Sequence, residues 1–301
     1  MKLQLTTNTS KSRTDGQFAF QVMPDLKRIK ILTETDKQEV LSFLKVRPVH
    51  TVVMTSFIQD NGLEGNDNRG KFYGYRNAQG TLEGVALIGH TTLVEAHSET
   101  AVAEFARVAR ESKTPIHFMM SDGKVIENFW QYFVDGKRAP RLVCTEKLFE
   151  ISASAVKPQT DTNLRPATAA ELLQVAEAHA EVALLESGVN PLERDREGFL
   201  KRTLKRIEKG RTWVVFENGK LLFKADVVAE NSEVIYLEGI YVNPKLRGNG
   251  LGANCLSHLC SILLDKVKHI CLLSNIEFKN AHRAYLKAGF KMQNTFQTIF
   301  V

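Results

Sequence analysis

Along most of the chain the apolar residues recur either at every second position or at every third to fourth, and the two periods alternate often enough to outline the fold. Roughly the first twenty residues are polar and aperiodic, so residues 1–22 are expected to form a loose arm. Order is expected from Met23, with a helix over 37–45, a strand pair 71–76 and 82–88, a short strand 92–95 and a helix 100–110. A strand at 116–120, a helix at 124–133 and a strand at 142–151 follow. The stretch 152–166 mixes Ser, Thr, Pro and charge without periodicity and reads as a linker.

Beyond it, Thr168 and Glu171 form a capping-box pattern ahead of a helix over 172–185, and a second helix is expected over 197–209. Asn218-Gly219 then joins strands 212–216 and 221–228, because that dipeptide accepts the left-handed turn a twisted hairpin needs. A strand at 233–242 leads through a glycine-rich loop to a helix over 251–267, a strand 270–274, a helix 280–288 and a strand 290–300. Both halves repeat one order: helix, hairpin, third strand, helix, strand, helix, strand. The expected fold is therefore α/β, of α+β mixed-sheet type. It should form two tandem units, 23–155 and 156–301, each a twisted, mostly antiparallel sheet flanked by helices.

A length of 301 residues, 43% of them hydrophobic, is enough for two ordinary cores. No run reaches the roughly 20 apolar residues of a membrane span, and the first residues hold no apolar signal core. Cys144, Cys255, Cys260 and Cys271 form no CxxC pair and sit among apolar neighbours, which suits reduced thiols and a cytoplasmic protein. The net charge of +6 is spread over both halves, so it does not mark one of them as a nucleic-acid module. Its one concentration is a helical stripe, Lys201, Arg202, Lys205, Arg206 and Lys209, which reads as a solvated face or as a contact for an acidic partner, a phosphate group or DNA.

The chemistry lies in the segment Glu238 to Gly252. Gly248, Gly250 and Gly252 remove side chains where a phosphate needs close backbone approach, and the following helix aims its N–H groups at the same place. Gly248, Gly250 and Ala253 also satisfy the dinucleotide fingerprint. That fold requires an acidic residue at the end of the next strand, which His269–Ser274 does not supply. Arg247, Gly250 and Gly252 resemble instead the acyl-CoA loop of the GNAT superfamily of N-acyltransferases. The preceding Ile240-Tyr241-Val242-Asn243-Pro244 and the downstream Asn280-x4-Tyr285-x3-Gly289-Phe290 are similar to its other sequence blocks. The whole chain resembles bacterial tandem proteins in which a degenerate GNAT-like domain precedes a competent one.

The resemblance implies a pantetheine arm pairing with the backbone of Ile240, Tyr241 and Val242, and a pyrophosphate held by the N–H groups of Arg247, Gly248, Asn249, Gly250, Leu251 and Gly252. It also implies a contact from Asn280, Glu238 as general base and Tyr285 as general acid. The co-substrate would be acetyl-CoA, without a metal, and the acceptor an amine on a small molecule, a protein lysine or an N-terminus. Two readings of Glu238 stand side by side: a base raised by its apolar strand, or a carboxylate at a solvated opening. Tyr285 is either the acid or part of the core. His258 is expected to pack or meet solvent, and His282 to be exposed. Glu181, Glu186, Glu193 and Asp195 are carboxylates that would favour a cationic acceptor. The corresponding junction of the first half, 94–101, lacks glycine and carries two carboxylates that would repel a pyrophosphate. One cofactor site per chain is expected, with the first half shaping the acceptor pocket or a homodimer contact. A non-catalytic acyl-CoA sensor and a nucleic-acid binder are the competing readings.

Overall fold

The alternating segments become strands and the three-to-four-spaced ones helices in a computed structural model that describes residues 28–134, 139–157 and 162–301. The first half contains β1 (Ile29–Ile31), α1 (Lys37–Leu44), α2 (Pro48–Asn61), β2 (Gly70–Arg76), β3 (Leu82–Gly89), β4 (Thr91–Ala96), α3 (Glu99–Glu111), β5 (Phe118–Asp122), α4 (Gly123–Val134) and β6 (Leu142–Ser152). The second half contains β7 (Arg165–Pro166), α5 (Leu172–Ser187), α6 (Pro191–Arg194), α7 (Arg196–Glu208), β8 (Thr212–Glu217), β9 (Lys220–Glu230) and β10 (Val234–Val242). It closes with α8 (Leu251–Leu263), β11 (His269–Asn275), α9 (Lys279–Ala288) and β12 (Lys291–Phe300). The expected arm 1–22 lies outside the described residues.

Local chemistry explains most boundaries. The capping box forms, with the Thr168 N–H donating to Glu171 Oε2 at 2.7 Å. In the β8–β9 hairpin, Asn218 and Gly219 take φ of 50° and 73°, the left-handed values the turn requires. Helix α8 stops at Leu263, short of the expected 267. Helix α2 is absent from the periodicity because Thr51, Val52, Met54, Thr55, Ser56 and Ile58 are all buried, leaving no polar face to set a 3.6-residue rhythm.

All strands belong to one sheet, ordered β1-β2-β3-β4-β5-β12-β6-β11-β10-β9-β8-β7. The order is symmetric about its centre, and among the described residues only β4–β5 and β10–β11 are parallel. The two halves exchange their last strands. β12 pairs with β5 of the first half, and β6 pairs with β11 of the second. Side chains travel with them: Phe149 and Ile151 of β6 lie in the core of the second half with Leu256, Leu259 and Tyr285, while Ile299 of β12 joins Phe105 and Phe129 in the first. Helix α2 bridges as well. Met54 and Ile58 pack in the first half, and Val52 packs on Ala229, Val234 and Tyr236 of the second.

The stripe read as a solvated face turns toward carboxylates. Lys205 meets Asp67 at 2.9 Å and Lys209 meets Asp60 at 3.3 Å, both across the seam between halves, while Arg202 and Arg206 meet Asp195 and Asp226. The exposed pairs orient the seam more than they stabilise it. Among the described residues, no helix is long and apolar enough to cross a membrane.

Candidate active site

The site begins where two parallel strands part. The β10–β11 ladder runs from Val234–His269 to Leu237–Leu272 and ends there; β10 continues against β9 alone, and β11 against β6 alone. The backbone of 238–242 therefore has no ladder partner on its β11 side, and Glu238 stands at the apex of the opening. On the β9 side, Glu238 opposes Asp226 and Tyr241 opposes Lys224, so Gly239 and Ile240 together face one residue in a bulge. Gly239 takes a φ of 57°, which favours glycine.

A buried ionic network fixes this bulge. Lys224 Nζ donates to the Gly239 carbonyl at 3.0 Å and to Asp226 Oδ2 at 2.5 Å. Asp226 also accepts from Thr212 Oγ1 at 2.7 Å and Arg206 Nη1 at 3.1 Å. Lys224 and Asp226 are 0% and 1% exposed. Burial pushes the Asp226 carboxyl up, but the charges of Lys224 and Arg206 outweigh it and hold the group at about 2. Burial lowers Lys224, with Asp226 opposing that shift.

Two further carboxylates converge on Glu238. Glu186 ends α5, and Glu146 comes from exchanged strand β6, opposite Asn275 of β11 and accepting from Thr298 Oγ1 of β12 at 2.6 Å. Glu238 and Glu186 open to solvent and Glu146 is half-buried. Crowding by protein still makes itself felt. Burial pushes Glu186 up to about 8, helped by the charges of Glu238 and Glu146, and Glu146 up to about 7, helped by Glu238. Glu238 is raised by burial as well, opposed by a hydrogen bond with Tyr236 and by the Arg206 charge. Of the four carboxylates expected to favour a cation, only Glu186 reaches this cluster. Glu181 pairs with Arg247, Glu193 accepts from Asn190, and Asp195 caps α7.

Tyr285 is buried, edge-to-face on Phe149 at 5.3 Å, with its hydroxyl beside Ser274; burial drives the phenol well above its ordinary value. Its ring belongs to the core of the second half, as one of the two readings of this residue expected. Ser274 Oγ is itself buried and has no hydrogen-bond partner. His282 is half-buried rather than exposed: Nε2 contacts the Asn275 carbonyl at 3.0 Å and the ring lies on Phe149. His258 Nδ1 is engaged by Thr162 Oγ1 at 3.0 Å.

The glycine loop lies next to this opening. Gly248 and Gly250 take φ of 86° and 84°, and Gly250 caps α8 without a side chain, leaving the first-turn N–H groups of Leu251, Gly252 and Ala253 to a ligand. A Cβ at Gly252 would come within 2.9 Å of Val242 Cγ2, and one at Gly250 within 3.3 Å of Lys287 Nζ. A side chain at either position would crowd its neighbour. Arg247 offers backbone rather than charge, because its guanidinium is engaged by Glu181 Oε1 at 2.9 Å and the Val242 carbonyl at 3.0 Å. Asn280 is exposed in the first turn of α9, whose start lacks a side-chain cap. Lys287, two turns on, supplies a cation that the loop motif alone does not announce; its seven-residue spacing from Asn280 was the available signal.

The first half has the same opening, closed. Its β4–β5 ladder ends at Leu93–Met120, where Arg47 bridges Glu95 at 3.0 Å and Asp122 at 3.3 Å. The remaining cavity is about 20 Å³, room for little more than a water. Helix α3 is capped by Ser98 Oγ, which accepts from the Ala101 N–H at 3.3 Å, and Glu99 occupies its first turn.

Parted strands, a bulge and an uncapped helix behind a glycine loop thus meet at one opening of the sheet. Residues 172–290 match the model of the acetyltransferase (GNAT) family, so the second half carries a GNAT domain. No curated protein matches the chain. Among solved structures, a GNAT-family acetyltransferase from Colwellia psychrerythraea is 14% identical, with a TM-score of 0.54, covering 91% of this chain and 100% of its own. A GCN5-related N-acetyltransferase from Sphaerobacter thermophilus is 11% identical, with a TM-score of 0.57, covering 90% and 94%. A tandem GNAT protein from the clavulanic acid biosynthesis pathway is 13% identical, with a TM-score of 0.52, covering 90% and 97%. At these identities the likeness concerns the fold, which is the tandem GNAT arrangement across nearly the whole chain.

Proposed function

We propose that the protein is an N-acetyltransferase that moves acetyl from acetyl-CoA directly to a primary amine, at one site per chain. The observation that carries this reading is the placement of an accessible carboxylate where β10 parts from β11 and of an uncapped glycine cradle just beyond the end of β10. Residues 23–155 and 156–301 are read as the two tandem units, the first closed to a cofactor by Arg47 and Ser98. The loop N–H groups of 247–252, with Lys287, would hold the pyrophosphate, and the free edge of Ile240, Tyr241 and Val242 would hold the pantetheine arm as an added strand. Asn280 would touch the cofactor from α9.

In this reading Glu238 takes a proton from the substrate ammonium, its raised pKa bringing it closer to the operating pH. The freed nitrogen lone pair attacks the thioester carbonyl carbon; a C–N bond forms as the C–S bond breaks. Tyr285, kept protonated by burial, donates to the leaving sulfur and recovers the proton the nitrogen sheds, and Glu238 returns its own to solvent.

Calorimetric titration with acetyl-CoA, comparing wild type with Gly250→Glu, tests the cradle, and thiol release on adding amines tests transfer. One tight site lost in the variant is expected. No binding by wild type overturns the proposal, and binding without thiol release for any amine reduces the protein to an acyl-CoA-binding module.

A further inference from the structure

The bulge at Gly239 and Ile240 shifts β10 by one place along β9. In a strand such a shift exchanges both faces and both edges: side chains change sides, and backbone groups that would meet one neighbour turn toward the other. Beyond the bulge, Ile240 and Val242 pack on the core that holds Leu256 and Leu259, and Tyr241 packs on the opposite face with Val175 and Ile207. The same shift decides which backbone groups of 240–242 point to the edge that β11 leaves open.

Lys224 spans the shift. Its backbone pairs with Tyr241 beyond the bulge, while its side chain reaches back to donate to the Gly239 carbonyl at 3.0 Å. A Cβ on Gly239 would come within 2.8 Å of Lys224 Nζ and 3.2 Å of Asp226 Oδ2, so the ammonium and its counter-ion fill the space a side chain would take there. Burying an ammonium completely is costly, and an apolar residue of similar volume often serves stability as well. Asp226 already accepts from Arg206 at 3.1 Å and Thr212 at 2.7 Å; the bond to Gly239 is what the lysine adds. The glycine cradle is anchored separately, because the Asn243 N–H donates to the Leu222 carbonyl at 2.8 Å and its side-chain amide to the Leu221 carbonyl at 3.1 Å.

We propose that Lys224 is a positioning residue for the cofactor: by gripping the Gly239 carbonyl it fixes the register in which the backbone of 240–242 meets the pantetheine arm. This rests on the transferase reading above. Lys224 is 0% exposed, so it acts on acetyl-CoA through the strand and not by contact. Its influence falls on the pantetheine end of the cofactor and leaves the phosphate end to the cradle.

The test separates those two ends. Acetyl-CoA is titrated calorimetrically into wild type and Lys224→Met, and 3′-phospho-ADP, which is CoA without its pantetheine arm, is measured by displacement of acetyl-CoA. Heat-unfolding curves confirm that the variant is folded; Asp226 keeps Arg206 and Thr212 in it. Lys224→Met/Asp226→Asn, which removes the ammonium together with its counter-ion, replaces the single variant if that one does not fold. Loss of the lysine should weaken acetyl-CoA about tenfold or more, equivalent to about 1.4 kcal/mol, and 3′-phospho-ADP by no more than about twofold. Equal weakening of both ligands, as a general loosening of the domain would give, overturns this inference and leaves the transferase reading intact. So does unchanged acetyl-CoA affinity in a folded variant, and failure of both variants to fold, which assigns the lysine to stability. Absence of acetyl-CoA binding by wild type overturns both.

Discussion

Replacing Asp226 with asparagine should destabilise the fold by several kcal/mol, and the structure bounds the figure from two sides. The carboxylate is the counter-ion of Lys224, which is fully buried and which also donates to the Gly239 carbonyl at 3.0 Å. Removing one member of a buried pair costs about 3–5 kcal/mol, because the other charge stays behind without compensation. The upper bound comes from the lysine's own escape. Rather than remain charged, Lys224 can lose its proton, which at neutral pH costs about 4–5 kcal/mol for a group that ordinarily titrates near 10.4. The sign of the pH dependence follows. A lysine whose pKa is lower in the folded state destabilises below that folded value, and the cost vanishes above the unfolded one. The deficit of Asp226→Asn should therefore shrink as the pH is raised toward 10. Adding Lys224→Met, similar in volume and uncharged, should restore about half of the loss. Equilibrium urea unfolding followed by far-ultraviolet circular dichroism measures all three quantities. A loss below about 1 kcal/mol for the single variant, or no recovery in the double, would refute the assignment of Lys224 and Asp226 as a mutually dependent pair.

Glu186→Gln should raise the melting temperature of the ligand-free protein at alkaline pH. Glu186 is held at about 8 when folded against 4.5 when unfolded, so it costs nothing below the lower value, and a penalty builds as the pH rises between the two and is complete above the higher. Little change is expected near pH 4, and an equal gain at both ends would contradict ionisation of Glu186 as the source of the effect. Glu238→Gln should lower kcat/KM by about 10²–10⁴-fold and remove the acid limb of its pH profile. In wild type that limb should fall as the pH drops, with a midpoint above the usual carboxylate value, and a profile unaltered in the variant would assign the base elsewhere.

How much of the fold and site was legible in the sequence depended on whether the signal was local. The Asn218-Gly219 turn and the Thr168–Glu171 capping box each place their chemistry within a few residues and formed as read, and the glycine loop leads into α8 with positive φ at Gly248 and Gly250. Helix α2 was invisible for a physical reason: wedged between the halves, it buries residues on several faces and so has no amphipathic stripe. Its boundary residues, Pro48 at the first turn and Gly62 with φ of 75° after the last, were the remaining clues. Alternation marks a segment as a strand but does not name its neighbour, so nothing in residues 142–152 or 291–300 announced that each would insert into the sheet of the other half. Glu146 was missed with that exchange, and Lys287 because its contact with the loop depends on how α9 packs against α8.

The exchange of final strands also sets an order of events during synthesis. Until residues 291–300 have been made, β5 and β6 each lack the neighbour that separates them, and the first half presents two unpaired strand edges to its surroundings. The pairing that closes them joins residues about 140–180 positions apart, the kind of distant contact that slows folding and prolongs exposure to other chains. The half read as closed to the cofactor is thus also the half that waits longest for completion. A separately expressed first half would be expected to associate through those edges rather than to stand alone.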